Sequence, residues 1–472
     1  MLELRPYQKE AVDAGLKFLN GRSKSPGIEV LPCGAGKSVV ISKIAESLKK
    51  PVLVLQPSKE ILEQNYMKAV AFGATPTIYS ASCGIKELSS MTYATLKSVK
   101  KEVDKLKEIG VDTLLIDEVH AGYSPEEGSE FMKFVKEFPE AKVLGFTATP
   151  CRLRTYSSMM EGNYSKLNML TKDENSFFKK IVHVTQIQEL TSQGFWSKLE
   201  YERWAFDESD LELNSTGAEY TDESIKLSIV KNGLNNTIYK RILQLMNERK
   251  HILVCMDSIE SCNRISDFMN ARMGNITGVV TSLTSKKKRE NIINDFKSGK
   301  LKIVFNYSTL ATGFDFPELD CVMMGRPTFS YSIMYQIMGR AVRVHPDKKS
   351  ALIVDCCDNM KRFGRIEDLT IEQFPTKGWC MFAGDQLISG IRMGDVVTKQ
   401  EILEKSKSLR KINNDGRRED DMDDYIMWFG KYEGVRFKDI PMSYFQFLAT
   451  QMNIRPGSKM ERILNYYNNI KI

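Results

Sequence analysis

No stretch of this 472-residue chain approaches the ~18–20 consecutive apolar residues that a bilayer-spanning helix needs. The opening Met1-Leu2-Glu3-Leu4-Arg5-Pro6 has neither the basic start nor the apolar middle of a secretory leader. Histidine is scarce, at four residues, and the nine cysteines stand singly or as the adjacent Cys356-Cys357, never as a Cys-x-x-Cys pair. That leaves too few ligands at suitable spacing for a zinc cluster, and the thiols fit a reducing compartment. A strong charge of one sign is also missing. The 67 basic and 60 acidic residues leave a net charge of +7, which permits a polyanionic partner without demanding one. There is no short-period repeat and no long low-complexity tract. These absences lead to the expectation of a cytoplasmic chain, clear of membranes, with reduced cysteines. Its length and 42% hydrophobic content suit about three globular domains.

What is present begins with Leu31-Pro32-Cys33-Gly34-Ala35-Gly36-Lys37-Ser38. Apolar residues before it read as a short strand and Val39–Leu48 after it as a helix. Backbone N–H groups of such a turn converge on phosphate oxygens where the helix dipole favours negative charge. Lys37 would reach the terminal phosphates of a nucleoside triphosphate, and the Ser38 hydroxyl would ligate Mg²⁺. Leu31 stands where such loops usually carry a glycine, and a glycine turn with a solvated lysine would look much the same. Apolar runs at 51–55, 113–116 and 142–146 alternate with helical patterns, which predicts a parallel sheet covered by helices on both faces. A second alternation follows at 252–255, 278–280, 302–305 and 351–354. The polar stretch 199–236 reads in part as a linker. We divide the chain into lobes at 1–204 and 205–370 and an accessory region at 371–472.

A triphosphate site needs a carboxylate for its metal ion. Asp117-Glu118-Val119-His120 follows the 113–116 strand directly, at the end where α/β folds bind ligands. An isolated Asp-Glu pair is usually a solvated loop; behind a buried strand and a phosphate loop it reads as Asp117 holding Mg²⁺ through water and Glu118 as general base. Here the sequence resembles the superfamily 2 helicases over about residues 1–370. Arg5-Pro6-Tyr7-Gln8 is similar to the adenine-recognition motif, with Gln8 reading the base edge. Pro57-Ser58-Lys59-Glu60 and Met91–Leu96, which includes Thr92, look like the two motifs that touch a nucleic-acid backbone. Thr147-Ala148-Thr149-Pro150 resembles the motif linking nucleotide to strand. Asn306–Pro317, with Thr312, Gly313 and Asp315, and Gln336–Arg343 resemble the two motifs of the second lobe, and Asn359 and Arg362 the segment that closes it.

The resemblance implies two stacked RecA-like parallel-sheet lobes with ATP and Mg²⁺ between them. Arg5, Gln8, Gly34, Ala35, Gly36, Lys37 and Ser38 would bind the nucleotide, and His120 would belong to the catalytic group with Asp117 and Glu118. Gln336, Arg340 and Arg343 would arrive from lobe two, on one helical side by their spacing, with the arginines as fingers. Gly313 and Asp315 would lie near the nucleotide. Backbone contacts to DNA are expected from Ser58, Lys59, Thr92, Arg152, Thr281, Arg289 and Thr312, in a monomer. The subgroup most resembled is the compact phage helicases that remodel forks and branched DNA, which would place the chain in a host cytoplasm and beside replication or recombination proteins. A strand-separating wedge would then sit in an insertion, for which Met159–Lys180 is a candidate, or in the tail. There Trp428–Gly434 and Asp439-Ile440-Pro441 resemble a small phage module in which aromatic and basic residues interleave. An RNA helicase, the translocating subunit of a restriction complex and an ATP-gated clamp remain as alternatives.

Overall fold

The computed structural model describes residues 3–404 except 122, 124–127, 159–161, 173–175, 309–315 and 375–376, together with 427, 431–433, 435–451 and 464. By compactness the chain falls into two units, 1–395 and 396–472.

The first unit holds two parallel sheets. The strands of the first are β1 (Gly27–Val30), β2 (Val52–Gln56), β3 (Thr77–Ser80), β4 (Ile85–Lys86), β5 (Met91–Thr95), β6 (Thr113–Ile116), β7 (Lys142–Thr147) and β10 (Lys180–Val184). They lie in the order β10-β1-β7-β6-β2-β5-β3-β4, parallel except for the short β4. Strands β1, β2 and β6 are buried along their whole length, so β2 and β6 read as nearly continuous apolar runs, while β1 carries the buried Glu29 between Ile28 and Val30. Register does the rest: Val30 lies beside Thr147, and the Leu31 N–H donates to the Thr147 carbonyl at 2.9 Å. The loops after β1, β6 and β7 therefore open at one edge, where the order places β7 between β1 and β6.

The second sheet is wholly parallel, in the order β11-β16-β15-β12-β14-β13. Its strands are β11 (Leu199–Arg203), β12 (Ile252–Met256), β13 (Thr277–Val280), β14 (Ile303–Asn306), β15 (Cys321–Gly325) and β16 (Ala351–Asp355). The segment read as partly linker thus begins with an edge strand of this sheet, ahead of the division placed at 204/205, and continues with a helix over Asp222–Lys231. Its charged alternation Glu200-Tyr201-Glu202-Arg203 suits an edge, where one side faces water. Residues beyond 370 also differ from expectation. Strands β17 (Leu369–Phe374), β18 (Gly378–Ala383) and β19 (Gln386–Leu387) form an antiparallel meander. The Gln186 side chain bonds both backbone groups of Ile371, at 2.7 and 3.2 Å. These residues therefore belong to the first unit, which ends at Asp395.

The stretch just after β7 is not a plain loop. Strands β8 (Cys151–Ser158) and β9 (Gly162–Met169) pair antiparallel as a hairpin, so much of the candidate insertion is ordered strand. One apolar cluster joins the two lobes, with Leu31, Ala35, Phe146 and Trp196 meeting Tyr331, Tyr335, Met338 and Val342. In the second unit, Met427, Phe437, Ile440, Phe445, Leu448 and Leu464 make a small core beside a helix over Met442–Gln451. Tyr432 and Tyr444 meet edge to face at 4.8 Å. Trp428, Phe429, Gly430 and Gly434 of the aromatic motif lie outside the described residues.

Candidate functional site

Helix α1 spans Pro6–Asn20 and helix α2 Lys37–Leu48. Two glycines make the turn between β1 and α2 possible: Gly34 and Gly36 sit at φ +76° and +81°, where a Cβ is costly. A Cβ at Gly36 would run into the Gln8 amide. Gln8 is buried, donating to the Ala35 carbonyl at 2.8 Å and accepting the Arg5 N–H at 3.0 Å. Tyr7 donates to the same carbonyl at 3.0 Å, while the Arg5 guanidinium lies 4.3 Å from the Phe195 ring centre. The start of α1 is thereby fastened to the phosphate loop, and the Gln8 amide is engaged there and at its own helix cap.

Lys37 and Ser38 open α2. The Lys37 ammonium lies 3.2 Å from Asp117 Oδ1 and pairs also with Glu118. Asp117 Oδ2 accepts from Asn65 Nδ2 at 2.9 Å, and the same amide reaches Gln56 Oε1 at 2.9 Å. Asn65 lies on helix α3 (Lys59–Ala71) and was not singled out by any motif. Its signal is a polar residue at a buried helical position, between Leu62 and Ala69. Glu118 sits at φ +51°, strained for a residue with a Cβ, and its N–H donates to Asp117 Oδ1 at 2.9 Å. Burial opposes the Lys37 charge, but Asp117 and Glu118 outweigh it and hold the ammonium above its ordinary value. Burial likewise pushes Glu118 up, yet Lys37, His120 and Arg340 bring it below the usual carboxylate range.

His120 joins this group to the second lobe. Its Nδ1 lies 2.8 Å from Thr147 Oγ1, which donates onward to the Thr149 carbonyl at 3.1 Å. Its Nε2 lies 3.1 Å from the Gln336 amide nitrogen. Burial drops His120 to about 4 against the pull of Glu118, so the ring is neutral near pH 7. A neutral ring that gives its Nδ1 proton to Thr147 and accepts at Nε2 from Gln336 satisfies all three groups. Ser332 and Thr149 hydroxyls, 3.3 Å apart, add a second bond between the lobes.

Gln336 lies on a helix over Tyr331–Met338 that stops before Arg340. The single helical face expected for Gln336, Arg340 and Arg343 is therefore not formed, because the chain turns at Gly339. A Cβ there would stand 2.7 Å from the Cys33 Cβ, so only glycine lets the helix end meet the phosphate loop. Arg343 instead pairs in a short bridge with Trp196, and the Ser197 hydroxyl donates to the Arg343 carbonyl at 2.7 Å. Trp196 Nε1 donates to the Cys33 carbonyl at 3.0 Å, and the Cys33 N–H reaches the Tyr335 hydroxyl at 3.3 Å. The phosphate loop is thus gripped by Trp196 and, from the second lobe, by Tyr335 and Gly339, with Arg340 near enough to act on the Glu118 charge. Asn359 is wholly buried, holding the Thr328 N–H and Asp355 at 2.8 and 3.0 Å, and Arg362 forks onto Glu208.

The expected nucleic-acid contacts fare differently. Ser58 caps α3 by accepting the Ile61 N–H at 3.3 Å, and Lys59 bonds the Ser82 carbonyl. Thr92 is fully buried: its hydroxyl accepts the Ser89 N–H at 2.9 Å and donates to the Ser89 carbonyl at 3.0 Å, fixing the turn before β5. Thr281 is likewise buried, accepting the Leu283 N–H at 3.2 Å. Arg289 folds back toward the Thr281 carbonyl at 3.5 Å. Arg152 is turned to the Asp-Glu-Val-His loop, donating to the carbonyls of His120, Val119 and Tyr123 at 2.9, 2.8 and 2.5 Å. Thr312, Gly313 and Asp315 lie outside the described residues.

Residues 1–152 match the family described as type III restriction enzyme, res subunit, and residues 235–345 match the helicase conserved C-terminal domain. Among curated proteins, the chain is 24% identical over 371 residues to the putative ATP-dependent helicase IRC3 of Saccharomyces cerevisiae, covering 75% of this chain and 51% of that one. A 51.5 kDa protein of a Lactococcus phage is 25% identical over 71% of this chain and 66% of its own. The DNA 3'-5' translocase XPB2 of Sulfurisphaera tokodaii is 27% identical over 75% of this chain and 81% of its own. The chain thus spans between about half and two thirds of the first two relatives. Its fold resembles a fragment of a putative HsdR subunit of a type I restriction enzyme from Vibrio vulnificus, with a TM-score of 0.57 at 17% identity over 77% of this chain and 66% of that one. It also resembles the DNA-bound type ISP restriction-modification enzyme LlaBIII, with a TM-score of 0.52 at 19% identity over 75% of this chain and 27% of that one.

Proposed function

The chain belongs to the superfamily 2 helicases, and we propose that it is an ATP-driven DNA translocase acting at forked or branched DNA in replication, recombination or repair. The observation that carries the reading is the Lys37–Asp117–Glu118–His120–Gln336 chain of contacts, which runs from the phosphate loop into the second lobe. The donor set fits a magnesium nucleotide. A left-handed glycine turn exposes backbone N–H groups at a helix start, Lys37 supplies a fixed positive charge, and Ser38 with Asp117 offers hard oxygen ligands. Bound there, Mg²⁺ would neutralise phosphate charge. Arg5, Gln8, Gly313 and Asp315 are assigned to the nucleotide by motif alone.

The mechanism follows from which partners are exchanged. Lys37 here is shared by two carboxylates; a triphosphate would draw it away and leave Glu118 free to take a proton from water. Arg340 and Arg343 enter from the other lobe, so the site is complete only when the lobes are closed. Opening separates Gln336 from His120 and stalls turnover. Alternating between those states on a strand is translocation. DNA fits better than RNA by the names of the relatives, among them a DNA translocase. The test is phosphate release measured on single strands, forks, four-way junctions and RNA duplexes, alongside unwinding. We expect branched DNA to stimulate most; stimulation by RNA alone, or by nothing, would overturn the reading.

A further inference from the structure

The hairpin β8–β9 presents two unlike faces. Its inner face carries Cys151, Leu167 and Met169 into the core. On the same face the Thr155 hydroxyl donates to the Thr216 carbonyl at 2.5 Å and Ser165 to the Gly217 carbonyl at 3.1 Å. The β9 edge is occupied as well, since Gly390 and Met393 donate their N–H groups to Leu167 and Ser165 at 2.8 Å each. The hairpin is therefore braced on two sides. Its outer face reads, pair by pair from the root, Arg152 with Asn168, Arg154 with Lys166 and Tyr156 with Tyr164. The two tyrosine rings stack, with centres 5.6 Å apart and planes 18° apart. The Lys166 ammonium lies 5.5 Å from the Tyr164 ring centre, and the Arg392 guanidinium 5.7 Å from it. Both rings are partly exposed, and Arg154 and Arg392 are exposed. The Tyr156 hydroxyl accepts from the buried Asn168 amide.

We propose that this outer face is a strand-binding platform, on which bases of single-stranded DNA stack against Tyr156 and Tyr164 while Lys166, Arg392 and Arg154 meet the phosphates. The assignment rests on the DNA-translocase reading and says where the strand is held. Aromatic faces accept any base, so contact here is sequence-tolerant, and interleaved cations follow the backbone. A braced hairpin can resist a duplex that is driven against it, as a strand-separating element must. The root of the same face holds the Asp-Glu-Val-His loop through Arg152, and β8 continues directly from Thr149-Pro150. The platform is thus tied to the catalytic loop by the Arg152 side chain.

Ultraviolet irradiation of the full wild-type chain on a fork whose single-stranded arm carries 5-iodouracil tests this without any variant. The peptide bearing Tyr156 or Tyr164 should be labelled; labelling confined to other peptides overturns the platform. In parallel, the Tyr156→Ala/Tyr164→Ala chain should bind forks about 10-fold or more weakly, and the Tyr156→Phe/Tyr164→Phe chain within about threefold of wild type. Lys166→Ala/Arg392→Ala should lower the salt slope of binding by about 1.4, or ~0.7 per lost contact. An alanine pair that binds as wild type does, or a phenylalanine pair as weak as the alanine pair, also overturns it. A chain stimulated by DNA but unlabelled at the hairpin fails here alone; a chain whose ATP turnover DNA leaves unchanged sinks both readings.

Discussion

The nucleotide side and the strand side of this molecule answered their motifs differently. Around the phosphate loop, polar residues that separate motifs pointed to meet one another: Lys37 pairs with Asp117 and Glu118, and the neutral His120 contacts Gln336. On the strand side, Thr92 and Thr281 close turns of their own chain, and Arg152 grips a loop. The difference lies in the chemistry of the groups. A charge cannot be buried without a partner, so a charged motif in an apolar sheet forces its own site into existence. A threonine hydroxyl is satisfied equally well by a phosphate or by the nearest N–H, and a motif of that kind leaves its partner open.

The comparison can be broken at its strongest point first. Arg343→Ala should lower phosphate release by roughly 10³–10⁵-fold if it acts as a finger; a loss of less than about tenfold would leave Arg343 a structural residue bridged to Trp196. Next, Glu118→Gln should cut turnover by about 10²–10⁴-fold while nucleotide affinity persists, measured by stopped-flow hydrolysis and nucleotide binding side by side. Fast turnover by that chain would move the general base elsewhere.

A third test uses acid. His120 sits at about 4 in the fold against an ordinary 6.5, so the unfolded chain takes up its proton more readily. The stability this confers is complete above pH 6.5 and is lost as pH falls from there toward 4, by up to about 3 kcal/mol. Melting temperature followed over that interval should fall for the wild type and fall less for His120→Gln. The smallest effect belongs to the strand side: Thr92→Val should change DNA affinity by less than about twofold, whereas a larger loss with an unchanged melting temperature would restore Thr92 as a contact.

Much of the fold was legible because parallel strands buried on both faces are mostly apolar, as Val52–Leu55 of β2, Leu114–Ile116 of β6 and the whole of β12 are. Edge strands carry no such mark. β11 is charged and only half buried, so it read as linker, and it shifted the lobe boundary with it. The hairpin β8–β9 was masked by residues such as Arg154, Ser157 and Lys166, which suit a loop as well as the wet face of a strand. In the site, Asn65 escaped because it acts through Asp117 and belongs to no motif. The end of the Tyr331–Met338 helix escaped for another reason: Gly339 follows a helical period until the phosphate loop comes close enough to require it.

The three carbonyls held by Arg152 carry a thermodynamic consequence. An arginine that spans the hairpin root and the catalytic loop makes one free energy out of two events. Whatever a strand engaged on the hairpin does to nucleotide affinity, a bound nucleotide does to strand affinity by the same factor. Strand affinity and nucleotide affinity would then share one coupling free energy, and Arg152→Lys, which keeps the charge but not the fork of donors, should weaken it.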